Sequence, residues 1–378
     1  MKGLTYISLL IMLIITLAGC NPNGSEKNGT STNGGPQSAI KDSTKPYVKG
    51  VGNVDVLNSH GSIEGLERMQ SFYDNMKNGV PSDLRIVHYT IEGDPILTDL
   101  AFDGESLEVK DDSTRDTYGS GEIRTNSCSN MIKEENPTNT SYIAIDCSTG
   151  PFGKEEILKI NYNVSQQDLF EFELKYGGKL ENEVNTKTNT TKKVISANET
   201  KVTSDFVLGA SLKQEVYKRL VFANYLAEKD LEATCGSKDS LNYYLKVYIN
   251  GGQREYRWSV CDQSPDGVEL TKIAKYIIQQ SEKKQNEKPE ITVQGYVLQT
   301  NDDTLLVGEG LNMLDYEWLK DEIQQMNLDT YSFDFTILEG VNTEDFQPGD
   351  KIQAHIEGNI KGSKPRRAKV KDIKKLEF

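Results

Sequence analysis

The sequence predicts two α+β modules, each with a helix on an antiparallel sheet, followed by a small β-barrel of OB-like type. Apolar residues recur at helical spacing in three segments, which indicates amphipathic helices. Short alternating segments flank turn residues such as Asp103-Gly104 and Gly251-Gly252, as in β-hairpins. After a charged linker, five short strands with one helix are typical of a small barrel. The predicted ranges are 53–150 and 151–283 for the modules, 284–290 for the linker and 291–378 for the barrel.

The first module is predicted to open with a helix and to continue as a sheet. Ser62 is a suitable N-cap, Gly79 follows the last apolar position, and the apolar residues between them share one helical face. The predicted strands cover 84–91, 96–102 and 106–110, and a further antiparallel pair carries Cys128 and Cys147.

The second module combines strands and helices in a similar way. Its segment 181–203 is polar and rich in Thr, Asn and Lys, which is typical of either a long exposed hairpin or disorder. The other predicted elements are strands at 157–162, 170–176, 241–250 and 255–261 and helices at 211–230 and 267–280. In the barrel, strands are expected at 291–298, 304–308, 331–338, 352–358 and 368–376, and a helix at 316–326.

The segment Leu17-Ala18-Gly19-Cys20 follows an apolar run and precedes a polar, glycine-rich stretch. The run is shorter than the ~20 residues of a membrane span, so together with Lys2 it indicates a secretory signal. The small residues before the cysteine resemble the lipobox of bacterial lipoproteins, whose mature chain begins at a diacylglyceryl cysteine. The resemblance implies that 1–19 is a signal peptide and that Cys20 is lipidated. The alternative is cleavage elsewhere, which leaves Cys20 as a free thiol.

The composition and net charge of the chain limit the classes of partner that it is expected to bind. Residues 20–52 carry almost no apolar side chains and are expected to form a flexible spacer. The chain has 57 acidic and 43 basic residues, a formal net charge of −14. Because nucleic-acid binding needs a basic face, no nucleic-acid partner is expected. Electrostatic adhesion to an anionic bilayer is also disfavoured, so the lipid at Cys20 is expected to hold the protein on the extracytoplasmic face of the cell membrane.

Four cysteines remain after Cys20, and exported proteins meet oxidising conditions in which even sets form disulfides. Four cysteines allow three pairings. The pairs Cys128–Cys147 and Cys235–Cys261 are favoured because each closes a short loop. A zinc site is the alternative, but it would need closer cysteine spacing and a nearby histidine.

Two parts of the chain resemble known families. The Gly295 hairpin, the Pro348-Gly349-Asp350 turn and the segment from Gly358 to Pro365 are similar to the YobA-like domains of exported bacterial proteins. The segment Thr90-Ile91-Glu92-Gly93-Asp94-Pro95-Ile96 resembles an uncharacterised family of Gram-positive lipoproteins. Neither resemblance implies an activity or a catalytic residue.

No residue pattern in the sequence indicates a catalytic residue, a metal site or a cofactor. His88 and His355 lie in predicted strands, where an ordinary sheet residue is the simpler interpretation, and His60 lies in a loop. No nucleophile elbow or zinc-protease motif occurs. The acidic cluster 111–116 has oxygen ligands that suit calcium, but it lacks the glycine and distal glutamate of an EF-hand, so a solvated turn is favoured.

Aromatic side chains crowd the second module's hairpin. Part of this set, Tyr244, Tyr256 and Trp258, is predicted to point outward, where aromatic rings can stack on sugars or anchor a partner. Cross-strand packing of these rings is the favoured interpretation.

The function predicted from the sequence is a non-enzymatic, membrane-anchored lipoprotein that binds a ligand or a protein of the cell envelope. One alternative is an envelope hydrolase that uses an unidentified carboxylate pair. Another is an inhibitor or immunity-type protein. A buried acidic pair with a raised pKa in a cleft would favour the hydrolase, and a flat aromatic patch would favour binding.

Overall fold

A computed structural model describes residues 45–235, 240–283, 291–323, 328 and 331–377. Over these residues the protein is mostly β-structure, with four α-helices and a closed five-stranded barrel at the C-terminal end. The predicted signal peptide, Cys20, most of the spacer and the linker 284–290 lie outside the described residues. No helix in the described ranges combines the length and apolar character that a membrane span requires.

The first sheet has six strands, and helix α1 packs against it. α1 covers Leu66–Lys77, and its buried face includes Met69 and Phe72. The prediction that Ser62 caps this helix is wrong, because Ser62 lies in a strand and Gly65 occupies the cap with φ 81°. A Cβ at Gly65 would lie 2.0 Å from the Asp55 carbonyl oxygen, so only glycine fits this close approach. In spatial order the strands are β4 (Ser62–Glu64), β3 (Val56–Ser59), β5 (Ser82–Tyr89), β6 (Pro95–Phe102), β7 (Leu107–Asp112) and β8 (Ile123–Cys128).

Within this sheet β3 and β5 are parallel and the other neighbours are antiparallel. The hairpin predicted at Asp103-Gly104 is confirmed, because β6 and β7 pair on either side of it. A separate two-stranded ribbon precedes the sheet, formed by β1 (Tyr47–Val48) and β2 (Gly52–Asn53).

A three-stranded antiparallel sheet crosses the predicted module boundary. Its strands are β9 (Asn130–Glu135), β10 (Asn139–Ile145) and β11 (Lys154–Asn161), in the order β11-β10-β9. Because β10 and β11 pair along their whole length, a boundary between 150 and 151 would divide this sheet. The two predicted modules therefore share this sheet, and their division at residue 150 stays a prediction.

The second six-stranded sheet contains the segment predicted as either a hairpin or disorder. Residues 181–203 contribute three consecutive antiparallel strands, of which the last is exposed along its length. The sheet order is β15 (Glu199–Thr203), β14 (Thr190–Ser196), β13 (Asn182–Asn185), β12 (Phe170–Gly177), β16 (Asn242–Ile249) and β17 (Gly252–Ser259).

Helix α3 (Pro265–Glu282) contacts β13 and β16 of this sheet, and helix α2 (Ala210–Phe222) packs on α3 and, through Tyr217, on Phe170 of β12. α2 ends well before the predicted residue 230, because Asn224 turns the chain with φ 45°. One continuous hydrophobic core runs from Val56 to Ile277 and draws on both predicted modules. The buried faces of α1, α2 and α3 therefore belong to a single core.

The barrel closes in the order β18 (Thr292–Asn301), β19 (Thr304–Glu309), β20 (Asp334–Glu339), β22 (Arg366–Lys375) and β21 (Lys351–Lys361). Among the described strands of the barrel, β20 and β22 are the only parallel neighbours. Helix α4 (Met313–Leu319) lies between β19 and β20 and begins earlier than predicted, because Asn312 and Asp315 form a capping box at its start.

The structure contains the two disulfides that the loop lengths favour, Cys128–Cys147 and Cys235–Cys261. Cys128 ends β8 of the first sheet and Cys147 follows β10 of the three-stranded sheet. The first disulfide therefore ties these two sheets together.

Candidate functional site

Two adjoining cavities lie between the first sheet and the three-stranded sheet. The larger has a volume of about 620 Å³ and the smaller about 230 Å³. They share four lining residues, Asp111, Arg124, Glu155 and Glu156, and the smaller cavity extends to Leu314 in α4 of the barrel. We call the two cavities together the groove, and the place where they meet the junction.

The strand register of the first sheet builds one wall of the junction. Thr98, Asp111 and Arg124 lie directly opposite one another on β6, β7 and β8. The Thr98 hydroxyl donates to Asp111 Oδ1 at 2.8 Å, and Arg124 Nη2 donates to Asp111 Oδ2 at 3.1 Å. These two bonds fix the orientation of the Asp111 side chain.

Glu155 reaches the junction from β11 in the other sheet. Its Oε2 accepts a hydrogen bond from Asn126 Nδ2 at 3.2 Å, and its Oε1 lies 3.5 Å from Arg124 Nη2. Arg124 Nη2 therefore lies within 3.5 Å of both the Glu155 and the Asp111 side chain. Burial, together with the neighbouring Asp111 carboxyl group, raises the pKa of Glu155.

His88 lines the larger cavity and is not an isolated sheet residue. It lies opposite Asn58 of β3 and Ile96 of β6, and its Nδ1 is 3.2 Å from Asn58 Nδ2. Burial lowers the pKa of His88 below its ordinary value, which favours the neutral ring at pH 7. The other two histidines lie elsewhere: His355 bonds Asp372 in the barrel, and His60 occupies a turn with φ 51°.

The barrel holds the three-stranded sheet that carries Glu155. Lys351 Nζ donates to Glu134 Oε1 at 2.5 Å, and both side chains are almost completely buried, with 1% and 0% exposed. The other oxygen of Glu134 accepts the backbone N–H of Met313 at 2.7 Å. Next to the groove, Asn312 Nδ2 donates to Glu156 Oε2 at 2.7 Å. These contacts fix one wall of the groove against the barrel.

The aromatic residues predicted to point outward are buried. Tyr244, Tyr256 and Trp258 are 8%, 5% and 1% exposed. Trp258 stacks on Tyr243 at a centroid distance of 5.1 Å and donates its indole N–H to Thr271 at 2.8 Å. The rings pack across strands β16 and β17, so Tyr244, Tyr256 and Trp258 do not form an exposed aromatic patch.

The acidic cluster 111–116 does not act as one unit. Asp111 faces the groove, whereas Asp112 accepts bonds from Thr114 and Arg115 within the turn. Within the described ranges, no group of three or more His, Cys, Asp or Glu side chains is arranged to hold a metal ion.

Most of the groove could not be identified from the sequence. On β7, Asp111 is on the same face of the strand as the buried Leu107 and Val109, and this alternation could have distinguished it from its acidic neighbours. Glu155 and Arg124 carry no comparable local signal, because their roles depend on how two sheets pack.

Two parts of the chain match known protein families. Residues 53–143 match a domain of unknown function, DUF4362, and residues 294–377 match a protein family of unknown function, DUF3221. No curated protein matches the chain. A crystal structure of a YobA protein from Bacillus subtilis matches with 18% identity and a TM-score of 0.19, covering 24% of this chain and 99% of that one. The chain is therefore similar to two families whose functions are unknown, and the functional argument depends on the groove.

Proposed function

We propose that this protein is a lipid-anchored, extracytoplasmic protein of the cell membrane that binds a small polar ligand in the groove. The observation that carries the proposal is the junction, where side chains of both charge signs meet between two cavities. The larger cavity falls within the ~300–1,000 Å³ typical of small-molecule sites. The Leu17-Ala18-Gly19-Cys20 segment supports the anchor.

We also propose that the barrel is of OB-like type and that each helix-bearing N-terminal sheet acts as an α+β unit. The strand order first-second-third-fifth-fourth, with the third and fifth strands parallel, supports the OB-like assignment. Contacts of α1 with β5 and of α3 with β16 support the α+β description. In this proposal the barrel is a rigid support, since its buried Lys351 is bonded to Glu134 in the sheet that forms the groove wall.

The anchor is tested by cell fractionation. In Cys20→Ala the cysteine that would be lipidated is absent, so the protein should move from the membrane fraction to the medium. Retention of the variant in the membrane would show that something other than Cys20 holds the protein.

Ligand binding is tested with the released Cys20→Ala protein. The protein is incubated with a low-molecular-weight extract of cell envelopes and washed, and retained compounds are identified by mass spectrometry. Asp111→Asn should lose the retained compound. Glu108→Gln should keep it, because Glu108 lies on the same strand but is exposed. Equal retention by both variants, or none by the parent protein, would contradict binding in the groove.

A second candidate is hydrolysis, and the carboxyl pair favours it. Asp111 and Glu155 meet at one junction, and the raised pKa of Glu155 lets the two carboxyl groups supply an acid and a base, as general acid–base catalysis requires. Conversion of a retained compound over time, abolished in Glu155→Gln, would support hydrolysis. Release of the compound unchanged would support binding alone.

A further inference from the structure

Exposed aromatic side chains are concentrated around the groove. Among the described residues, four aromatic side chains are at least 45% exposed: Tyr47, Tyr118, Phe152 and Trp318. All except Tyr47 are close in the chain to residues that line the groove. A single exposed aromatic ring is common on protein surfaces, but three around one groove indicate a ligand that covers them.

Phe152 and Trp318 lie beside the smaller cavity. Phe152 is two residues before Lys154, which lines this cavity, and Trp318 is one helical turn after Leu314, which also lines it. Lys154 Nζ donates to the Phe152 carbonyl oxygen at 3.3 Å and to Glu317 Oε1 at 3.0 Å. Lys154 therefore links the backbone of one aromatic residue to the helix that carries the other.

Both of these aromatic residues are held in place. Phe152 has φ 60°, a left-handed conformation that bulky residues rarely adopt. The chain around it is fixed because the Cys147 N–H donates to the Gly153 carbonyl oxygen at 2.9 Å. Trp318 meets the ring of Tyr331 edge-on at a centroid distance of 5.6 Å. A ring that is ordered before binding loses little conformational entropy when a ligand stacks on it.

Tyr118 lies at the other end of the groove. It belongs to the turn between β7 and β8, and Ser113 and Ser120 of the same turn line the larger cavity. The groove follows the chain from Val109 in the smaller cavity, through Asp111 at the junction, to Ser113. Four residue steps of extended chain span ~14 Å. The groove is therefore longer than one monosaccharide and has aromatic residues at both ends.

The junction between these ends is suited to hydroxyl groups. Asp111 and Glu155 offer acceptor oxygens, and Arg124 and Asn126 offer donors. A hydroxyl group both donates and accepts, so a sugar can use both kinds of partner. Among the described residues, four acidic and three basic side chains line the groove. Because these charges nearly balance, the groove favours a neutral ligand.

We propose that the groove binds a neutral oligosaccharide, with sugar rings stacked on Phe152 and Trp318 at one end and on Tyr118 at the other. Hydroxyl groups of the sugars between them bond to the junction. This inference rests on the proposed binding function and names the class of ligand. Binding is reversible, and no covalent bond forms or breaks.

The test is isothermal titration calorimetry of the released Cys20→Ala protein with three neutral tetrasaccharides: maltotetraose, cellotetraose and tetra-N-acetylchitotetraose. At least one of them is expected to bind. Its monosaccharide should bind at least about tenfold more weakly, because one ring cannot reach both ends of the groove. Trp318→Ala and Tyr118→Ala should each weaken binding of the tetrasaccharide about tenfold, because each removes a stacking surface.

Tyr47→Ala is the matched control and should bind the tetrasaccharide as the parent protein does. Tyr47 is 48% exposed and lies in the β1–β2 ribbon, which packs on Val87 and Leu97. Leu97 and the groove residue Thr98 are consecutive on β6 and therefore point to opposite faces of the sheet. The ribbon thus lies on the face away from the groove. Thermal unfolding shows whether each variant is folded before titration.

The two tryptophan residues of the chain provide an independent measurement. Trp258 is 1% exposed and Trp318 is 45% exposed, so a bound sugar can shield Trp318 from acrylamide but has little to shield at Trp258. A saturating concentration of the tetrasaccharide should therefore reduce acrylamide quenching in the parent protein. The same concentration should leave quenching unchanged in Trp318→Ala.

Failure of all three tetrasaccharides to bind, or equal affinity for the tetrasaccharide and its monosaccharide, would overturn the inference. Unchanged affinity in either folded aromatic variant, or unchanged quenching in the parent protein, would also overturn it. So would an envelope compound that is retained through Trp318 and proves to be a peptide. Retention of an envelope compound that depends on Asp111 would leave the proposed binding function standing in each of these cases.

Discussion

Lys351→Met is expected to destabilise the protein because it leaves the Glu134 carboxylate buried without its cation. The two groups are 2.5 Å apart and at most 1% exposed. Breaking a buried ion pair by removing one partner costs about 3–5 kcal/mol. Glu134 keeps its bond to the Met313 N–H, so we expect a value near the lower end, about 3 kcal/mol.

The assay is urea unfolding of the released protein, followed by circular dichroism, together with thermal unfolding. At roughly 2 °C per kcal/mol for a chain of this size, the Tm should fall by about 6 °C. Glu317→Gln is the matched control, because Glu317 also joins the barrel to the three-stranded sheet through Lys154 at 3.0 Å. Its side chain is 16% exposed, so we expect a loss of about 1 kcal/mol or less.

A double variant separates charge burial from packing. Glu134→Leu combined with Lys351→Met removes both charges, and such replacements are often neutral or stabilising. The double variant should therefore recover most of the stability that Lys351→Met loses. If Lys351→Met and Glu317→Gln cost the same, or if the double variant is as unstable as the single one, the reasoning about a desolvated ion pair is refuted.

Three further predictions concern other contacts. Thr114→Val removes the hydroxyl that holds the pKa of Asp112 down to about 2, so an NMR titration should show this pKa rising toward its ordinary value; an unchanged pKa would contradict the assignment. Because burial raises the pKa of Glu155 in the folded state, its contribution to stability is fully present below the ordinary glutamate pKa and is lost as the pH rises through the folded-state pKa. Glu155→Gln should therefore raise the midpoint of urea unfolding at pH 7, and this midpoint should fall less between pH 4.5 and 7 than in the parent protein. Equal midpoints of the variant and the parent protein at every pH would contradict this prediction. Replacing both Cys128 and Cys147 by alanine should cost about 3 kcal/mol for their 19-residue separation, and reduced parent protein that is far more stable than this variant would contradict the estimate.

Local signals in the sequence were enough to predict hairpins and disulfides. Asp103-Gly104 favours a tight turn independently of distant residues, and β6 and β7 pair on either side of it. Cys128 and Cys147 are close in sequence, and they pair with each other. These features depend on neighbouring residues, so sequence patterns can identify them.

Other predictions failed where distant contacts overrode local preference. Ser62 has a suitable side chain for a helix cap, but it pairs with Ser59 in a strand, and the helix begins after Gly65. Alternation indicated outward aromatic rings in β16 and β17, yet Trp258 is buried, because helices pack with this sheet. A period-two pattern identifies the two faces of a strand but does not show whether one or both are covered.

The sequence by itself determined the acidic charge, the tight turns, the short disulfide loops and the Leu17-Ala18-Gly19-Cys20 segment from which the anchor is proposed. Only the tertiary structure decided that Asp111 and Glu155 meet at Arg124, since one lies on β7 and the other on β11 of a different sheet. The reason is that the contact between these groups, and the burial that raises the pKa of Glu155, arise when sheets pack, and the order of residues along the chain does not display them.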